Sequence, residues 1–470
     1  MTEELILSFP NPNQVVVEYD SDRTQPLDFT PPITIEDRKD IRWYLEVYGA
    51  KYTQEPDDDR AGRIEAEFKP WGEALFNAVF PSARANQIFF NFYDACGEDG
   101  GLITIDTAIP EILSLPWELL CVEGRQLVHE APHIAVRRCL SGAGGIGRRF
   151  RPKPKDRIHI LFVVSRPREA GFLDPRSDPL AVMDALDAEA PGRATVEFLR
   201  PPTLDNLTER LKRQSVHKGK PAVDILHFDG HGVFDKEGGL IDKARQTDPE
   251  AAVRDGGEAR KPDTGYLLFE DDKGGEALIT AETLGNMLTN QKVALTVLSA
   301  CQSAAVGEAD PMSGVAARLT HAGIPVVVAM THSVLVATTR RLFGKFYARM
   351  AGGMGAGSAL NEARQDLYAH PERGERRRGE TGRFTLRLQD WFLPALYQSG
   401  DDPPLLTPDP DSGSTPSPDE KDPVATLPAA GGAGFFGRSA ELWTVERAFV
   451  GKVRRITVSG FGGQGKTVLA

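Results

Sequence analysis

Two short segments of this chain carry a histidine and a cysteine where both could act in one reaction. The first is Ile225-Leu-His-Phe-Asp-Gly-His231-Gly232, and the second is Leu295-Thr-Val-Leu-Ser-Ala-Cys301-Gln-Ser303. A thiol is only slightly ionised at neutral pH, and an adjacent imidazole raises the fraction of reactive thiolate. His231 could therefore activate Cys301 and later protonate a leaving amine. The pair predicts a cysteine nucleophile with a histidine base.

Each of these residues also has a structural explanation when it is taken alone. A cysteine after an apolar strand is usually a small buried hydrophobic residue. The joint pattern is more specific, because both residues follow an apolar run. Gly232 adds an unhindered backbone N–H, which together with the amide of Cys301 could form an oxyanion hole. His227 is the competing base, but it lies within its apolar run, so we interpret it as a packing histidine.

A second chemical motif stands near the end of the sequence. The segment Gly460-Phe-Gly-Gly-Gln-Gly-Lys466-Thr467 matches the phosphate-loop pattern GxxxxGK[ST] in full. Lys466 is expected to reach the β and γ phosphates and Thr467 to ligate Mg²⁺, and residues 454–459 are predicted to form the preceding strand. Backbone N–H groups at the glycines would face phosphate oxygens; these are Gly460, Gly462, Gly463 and Gly465. Alone, this incomplete site is expected to bind ATP weakly or not at all.

The elements that must position His231 and Cys301 are predicted strands that alternate with helices between residues 155 and 400. Apolar runs at 158–165, 195–199, 223–228, 266–270, 293–299 and 326–330 are typical of strands. Their alternation with helical segments predicts an α/β fold with a mostly parallel sheet flanked by helices. Because the carboxyl ends of parallel strands share one edge, His231 and Cys301 can meet there.

Three further regions flank this domain. Residues 1–150 predict an N-terminal α+β accessory region, with strands at 14–19, 88–93 and 102–106. Residues 401–433 are rich in Pro, Asp and Ser and predict a disordered linker. Residues 434–470 predict the start of another domain. The polar stretch 236–263 is predicted to be a surface insertion, either a processing or gating loop or a simple disordered excursion.

Composition limits the classes of function. A net charge of −12 argues against direct binding to nucleic acid, because phosphate recognition requires an excess of Lys and Arg. We interpret the basic run 373–383 as a solvated loop rather than a phosphate site. No run approaches the roughly 18 apolar residues that span a bilayer. Four scattered cysteines indicate neither a disulfide framework nor a metal site, so a cytoplasmic protein is expected.

The two segments that carry His231 and Cys301 resemble the motifs of CHAT domains, which are caspase-like cysteine peptidases of clan CD. The resemblance extends to Leu115-Pro-Trp-Glu-Leu119 and to Ala359-Leu-Asn-Glu-Ala363. It implies that His231 is the general base, that Cys301 is the nucleophile, and that Gly232 and Cys301 form the oxyanion hole. It also implies the caspase–separase fold, in which residues 1–150 are a pseudo-protease-like half.

The segment Phe435-Phe-Gly-Arg-Ser-Ala-Glu441-Leu442 resembles the beginning of STAND-type ATPases, the NACHT and NB-ARC group. The combination implies a cysteine endopeptidase controlled by a sensor ATPase, which suggests prokaryotic cell death or antiphage defence. No cofactor is implied for the peptidase, and ATP with Mg²⁺ only where the full ATPase domain is present. The implied partners are a protein substrate and regulatory or sensor domains, downstream or in trans. The alternative is a non-catalytic caspase-like interaction module of a STAND ATPase.

Substrate preference is the least determined property. Asp229, Glu308 and Asp310 flank the two motifs and could line a pocket for a basic side chain, although each fits a solvated loop acid as well. These acids favour cleavage after Arg or Lys. Against this, Ser299 and Ala300 occupy the place at which some relatives carry an Asp.

Overall fold

One large β-sheet runs through the part of the chain that the computed structural model describes. That part comprises residues 3–51, 55–97, 100–131, 134–140, 151–171, 173–213, 220–235, 264–302, 311–378, 382–398, 400–407, 438–450 and 453–459. Within it, strands of the N-terminal region and strands of the region 155–400 form a single 14-stranded sheet. The predicted α/β class, with a mostly parallel sheet flanked by helices, is confirmed.

The N-terminal region combines strands at one side of the sheet with long helices that cover them. Its first part contains β1 (Glu3–Asn11), β2 (Gln14–Tyr19), β3 (Asp22–Arg23), β4 (Leu27–Asp28), α1 (Ile35–Arg42, continued by the π-helix Trp43–Tyr48 and by Gly49–Lys51), α2 (Glu55–Val79) and α3 (Ala83–Cys96). Its second part contains β5 (Gly101–Asp106), α4 (Pro110–Leu113), the 3₁₀ turn Trp117–Leu119, β6 (Cys121–Val122), β7 (Arg125–Gln126), α5 (Leu127–Glu130) and β8 (Ile134–Cys139).

The second region supplies the strands of the candidate site and the helices on both faces. It begins with β9 (Ile158–Val164), α6 (Ser177–Glu189), β10 (Ala194–Phe198), α7 (Leu204–Lys212), β11 (Ile225–Asp235), β12 (Thr264–Glu270), β13 (Glu276–Thr280) and α8 (Ala281–Asn290). It continues with β14 (Leu295–Gln302), α9 (Pro311–His321), β15 (Val326–Met330), α10 (Val336–Ala351), α11 (Ala356–Ala369), β16 (Glu372–Arg378), β17 (Gly382–Arg387) and β18 (Pro394–Gln398). The last described helix is α12 (Ser439–Val450).

The central strands of the sheet form two parallel blocks joined by one antiparallel pair, and further antiparallel strands flank them. The strand order is β10-β9-β11-β14-β15-β18-β8-β5-β1-β2-β3, with β12 and β13 beside β11 and with β4 beside β2. Neighbours in the series β10, β9, β11, β14 and β15 run parallel. Strand β15 then pairs antiparallel with β18, and neighbours in the series β18, β8, β5 and β1 are again parallel. Both regions therefore belong to one continuous layer.

Helices cover both faces of this sheet, which explains the continuous apolar runs in its strands. All seven residues of β9 are buried. On β11 and β14, Phe228 and Leu298 belong to one hydrophobic cluster, whereas Val297 belongs to the other, with Phe343 and Phe346 of α10. Alternate residues of these strands thus face opposite helix layers. His227 and Ser299 lie on the side of α6 and α10.

The segment Leu115–Leu119 is buried where the two regions meet. The Trp117 indole donates to the carbonyl of Ile112 at 2.8 Å and packs near the rings of Phe9 and Phe29. Glu118 accepts hydrogen bonds from Arg138 on β8 and from Arg364 on α11, and all three side chains are about 1% exposed. This part of the CHAT resemblance is therefore structural, because it ties helix α11 to the N-terminal strands.

Several predictions about local structure are wrong. Residues 88–93 lie in helix α3 rather than in a strand, because Ile88, Phe89 and Phe92 are buried at helical spacing. Residues 454–459 adopt no strand. The basic run at 373–383 is largely the hairpin β16–β17, in which buried Arg373 pairs with Asp390 at 2.6 Å. It is therefore a hairpin rather than a loop and Arg373 is not solvated, whereas Arg377 and Arg383 are exposed as expected.

The predicted linker also begins too early. Leu405 and Leu406 are buried, and Thr407 N–H donates to the carbonyl of Lys155 at 3.0 Å. Asp402 accepts hydrogen bonds from the amides of Gly357 and Ser358 at the start of α11. Residues 401–407 are thus part of the folded body, and residues 408–433 lie outside the described residues. None of the described helices has the length and apolar character that crossing a membrane requires.

Candidate active site

His231 and Cys301 occupy equivalent positions on two neighbouring parallel strands. In the register of β11 with β14, His231 is the Cα partner of Cys301, and Asp229 is the partner of Ser299. Backbones of adjacent strands lie about 4.8 Å apart, and residues two apart on a strand share a face. The expectation that both strands belong to one parallel sheet is therefore met. Their catalytic roles stay a prediction.

His231 lies where β11 changes its neighbour. Residues Ile225–Asp229 pair with β9, and from His231 onward the strand pairs antiparallel with β12 instead. The imidazole is 2% exposed, and its Nε2 lies 2.8 Å from the carbonyl oxygen of Gly171. Because a carbonyl can only accept, this contact places the proton of a neutral ring on Nε2 and leaves Nδ1 basic.

The basic nitrogen of His231 is unoccupied within the part of the chain that the structure describes. Nδ1 is buried and has no hydrogen-bond partner among the described residues. Burial lowers the pKa of His231 below its ordinary value of 6.5; the positive charge of Arg166 acts in the same direction, and the bond to Gly171 opposes it. At neutral pH the ring is therefore neutral and able to accept a proton.

The loop between β9 and α6 holds this histidine. It carries Gly171, and it begins with Ser165 and Arg166, whose side chain is almost fully buried. Arg166 donates both to the backbone carbonyl of Asp229 at 2.7 Å and to the two carboxylate oxygens of Asp229 at 2.8 Å. One loop thus contacts both Asp229 and His231, two residues apart on β11.

Asp178, in the first turn of α6, anchors the strand that carries Cys301. It accepts hydrogen bonds from Ser299 Oγ at 2.5 Å and from Thr339 Oγ1 at 2.6 Å. Burial alone would raise the pKa of Asp178, but contacts with His227, Ser299 and Thr339 hold it below its ordinary value. A buried carboxylate therefore joins β14 to α6 and to α10.

His227 occupies a packing position, as the sequence indicated. The ring is fully buried and stacks on Phe162 with 4.5 Å between ring centroids. Its Nδ1 lies 3.1 Å from the hydroxyl of Tyr347, and its Nε2 lies 3.8 Å from Asp178.

The residues predicted to line a substrate pocket are only partly within the described chain. Asp229 is a buried strand residue paired with Arg166, so the interpretation as a solvated loop acid is wrong for it. Burial raises the pKa of Asp229 to about 7, although Arg166 opposes this shift. The cavity beside it, which Arg166, Asp178 and Ser299 also line, measures about 20 Å³, which is room for about one water. Glu308 and Asp310 lie outside the described residues.

Of the remaining predicted features, Gly232 lies within the described residues, whereas two segments do not. Gly232 is a buried residue of β11 paired on both sides, with Leu267 of β12 and Gln302 of β14. An oxyanion role would require its amide to be free of these ladders, and this role stays a prediction. The stretch 236–263 and the phosphate loop lie outside the described residues.

The sequence did not single out Arg166, Gly171 or Asp178. Arg166 and Gly171 follow the apolar strand β9, so the rule that led to His231 and Cys301 also points to this loop. Nothing in the spacing of Asp178 indicates its contacts, because Ser299 and Thr339 are more than 100 residues away in the sequence.

Comparisons with known proteins show what this chain is similar to. The family model described as CHAT domain matches residues 70–401. The chain is similar to a solved Saccharomyces cerevisiae separase–securin complex, with 12% identity over 79% of this chain and 23% of that chain and a TM-score of 0.34. It therefore spans about a quarter of that structure's chain. It is also similar to the Arg-specific cysteine proteinase gingipain R, with 12% identity, coverage of 74% and 76%, and a TM-score of 0.37. Curated proteins give no match.

Proposed function

Because the chain belongs to the CHAT domain family, we propose that it is a cysteine endopeptidase in which His231 is the general base and Cys301 is the nucleophile. One observation carries this proposal. His231 and Cys301 are register partners on neighbouring parallel strands, near the end of the parallel pairing between β11 and β14, and the basic Nδ1 of His231 has no partner among the described residues. A dyad needs this combination, with a base beside the thiol and free to take its proton.

The chemistry follows from these positions. Nδ1 takes the proton of the Cys301 thiol, and the thiolate attacks the carbonyl carbon of the scissile peptide. The imidazolium then gives this proton to the leaving amine, which departs and leaves a thioester. Water, deprotonated by Nδ1, hydrolyses the thioester and restores the thiol. Gly171 keeps Nε2 protonated throughout, so the same nitrogen accepts the proton in both steps.

Paired substitutions test the proposal. Cys301→Ala and His231→Ala should each lower kcat by roughly a thousandfold or more, and the double variant should be hardly worse than either single one. Cys139→Ala and His370→Ala are matched controls, since Cys139 lies on β8 and His370 is half exposed beyond α11. Additive losses, or equal losses in the controls, would contradict the dyad. Activity on a peptide library that survives Cys301→Ala would contradict it as well.

The wider role of the chain is part of the same proposal. The phosphate-loop motif at 460–467 supports control by a STAND-type ATPase, and this architecture suggests an effector of prokaryotic cell death or antiphage defence. The alternative is an interaction module without catalysis. The substitutions above separate the two, because a module that only docks a partner has no peptidase activity for Cys301→Ala or His231→Ala to abolish.

A further inference from the structure

Helix α12, the first described element after residue 407, packs against the candidate active site. Three of its residues at helical spacing, Trp443, Glu446 and Arg447, make the contacts and lie on one face. Trp443 is 7% exposed and belongs to the hydrophobic core. By contrast, Phe449 of the same helix is 54% exposed. One face of the helix is therefore docked and another faces solvent.

The docked face is held mainly by charged groups. Arg200 pairs with Glu446, and its guanidinium lies 4.9 Å from the centre of the Trp443 ring. Arg447 pairs with Glu270 at the end of β12, a carboxylate that is 3% exposed. Burial raises the pKa of Glu270, whereas the Arg166 amide and Arg447 oppose this shift. Without Arg447, Glu270 would lose its cation in this buried position.

Arg447 also reaches the loop that holds His231. Its guanidinium donates to the carbonyl of Arg166, and the N–H of Arg166 donates to Glu270 at 2.9 Å. Both backbone polar groups of Arg166 are thus fixed by this ion pair. Further along, the N–H of Arg168 donates to the carbonyl of Gly274 at 3.1 Å, and the loop then presents Gly171 to His231.

We infer that helix α12 is a detachable clamp on the peptidase: docked through Arg447, it fixes the loop Ser165–Gly171 that orients His231, and its release loosens this loop and slows turnover. The kinetic consequence rests on the proposed peptidase function. The structural consequence does not. Arg447 acts as a positioning residue, because it touches the loop and not the reacting atoms. Helix α12 ends ten residues before Gly460, the first residue of the phosphate-loop motif.

Hydrogen exchange and kinetics on the whole chain test this clamp. Arg447→Met should speed exchange of the amides between Ser165 and Gly171 by about tenfold or more, while the strand amides keep their protection. It should also lower kcat by roughly tenfold or more with little change in KM, because a misplaced base costs rate rather than binding. Arg447→Lys should recover most of both losses. Phe449→Ala, on the exposed face, should behave as the wild type.

Three results decide the matter. Unchanged loop exchange and unchanged kcat in Arg447→Met would overturn the clamp. Global melting of this variant would also overturn it, because the docked helix would then be required for the fold and could not be released. If the wild type cleaves no peptide while Arg447→Met still loosens the loop, the clamp is supported and only the peptidase proposal fails.

Discussion

At the residue scale, the chemistry of the site depends on which nitrogen of His231 carries the proton. The contact of Nε2 with the Gly171 carbonyl places the proton on Nε2 and leaves Nδ1 as the base. Arg166 links the same loop to Asp229, and Asp178 holds Ser299 two residues before Cys301. The proposed dyad is thus supported from both strands by buried charged groups outside the sheet.

The pH dependence of the reaction follows from the surroundings of His231. Burial and the nearby Arg166 charge lower the pKa of this imidazole below 6.5. Because the neutral ring is the active form, the acid limb of kcat/KM should have its midpoint below pH 6.5. The measurement is a pH profile with a peptide that contains no titrating side chain. A midpoint above 6.5 would mean that His231 is exposed, or that another group is the base.

At the element scale, the segment after β18 contributes to the fold. Leu406 is fully buried and forms a parallel bridge with Lys155, just before β9. Leu406→Ala should lower the free energy of unfolding by about 2–5 kcal/mol, as expected for a buried leucine. Leu180→Ala is the matched control, because Leu180 is 47% exposed and should change stability by about 0.5 kcal/mol or less. Equal effects in denaturant unfolding would show that residues 401–407 are not structural.

Elements that depend on local pattern were predictable, and those that depend on distant partners were not. The apolar runs of β9, β11 and β14 predicted their strands because both faces of the sheet are covered. The aromatic residues at 88–93 favour a strand, although the burial of Ile88, Phe89 and Phe92 follows a helix. The buried pair Arg373–Asp390 could not be foreseen, because its partners meet only through the hairpin β16–β17.

The same distinction applies to the candidate site. The sequence predicted that His231 and Cys301 meet because each follows an apolar run of one parallel sheet. The expectation that His231 lies beyond the end of its strand is wrong, because β11 continues to Asp235 by pairing with β12. The contacts that orient them come from Gly171, Asp178 and Arg447, which lie on other elements. These contacts depend on how α6 and α12 pack, and the pattern within each segment carries no information about them.

At the scale of the whole molecule, the N-terminal region and the candidate peptidase region share one sheet and one buried charge cluster. Glu118 lies between Arg138 and Arg364, and Arg364 also donates to the carbonyl of Pro394 at the start of β18. Burial lowers the pKa of Arg364 to about 10, and Glu118 opposes this shift. The cluster therefore joins the two parallel blocks beside the antiparallel pair β15–β18.

Removing the central charge of this cluster should destabilise both regions together. Glu118→Gln leaves two buried guanidinium groups without a carboxylate and should lower the free energy of unfolding by about 3–5 kcal/mol. Glu36→Gln is the control, because the Glu36–Lys39 pair is mostly exposed and such pairs contribute about 1 kcal/mol or less. Denaturant unfolding measures the free energy of unfolding of both variants. Equal losses, or loss of the N-terminal region alone, would mean that the regions are separate units.

The central claim is that Cys301 is a nucleophile activated by His231, and covalent trapping tests it most directly. Burial raises the pKa of Cys96 to about 12 and that of Cys121 to about 11, so neither thiol should react at neutral pH. The whole chain is treated with peptidyl electrophiles, and the adduct is located by mass spectrometry. If His231 activates Cys301, an adduct should form on Cys301, and it should form far more slowly in His231→Ala. An adduct on Cys139 instead, or labelling of Cys301 that is unaffected by His231→Ala, would contradict it.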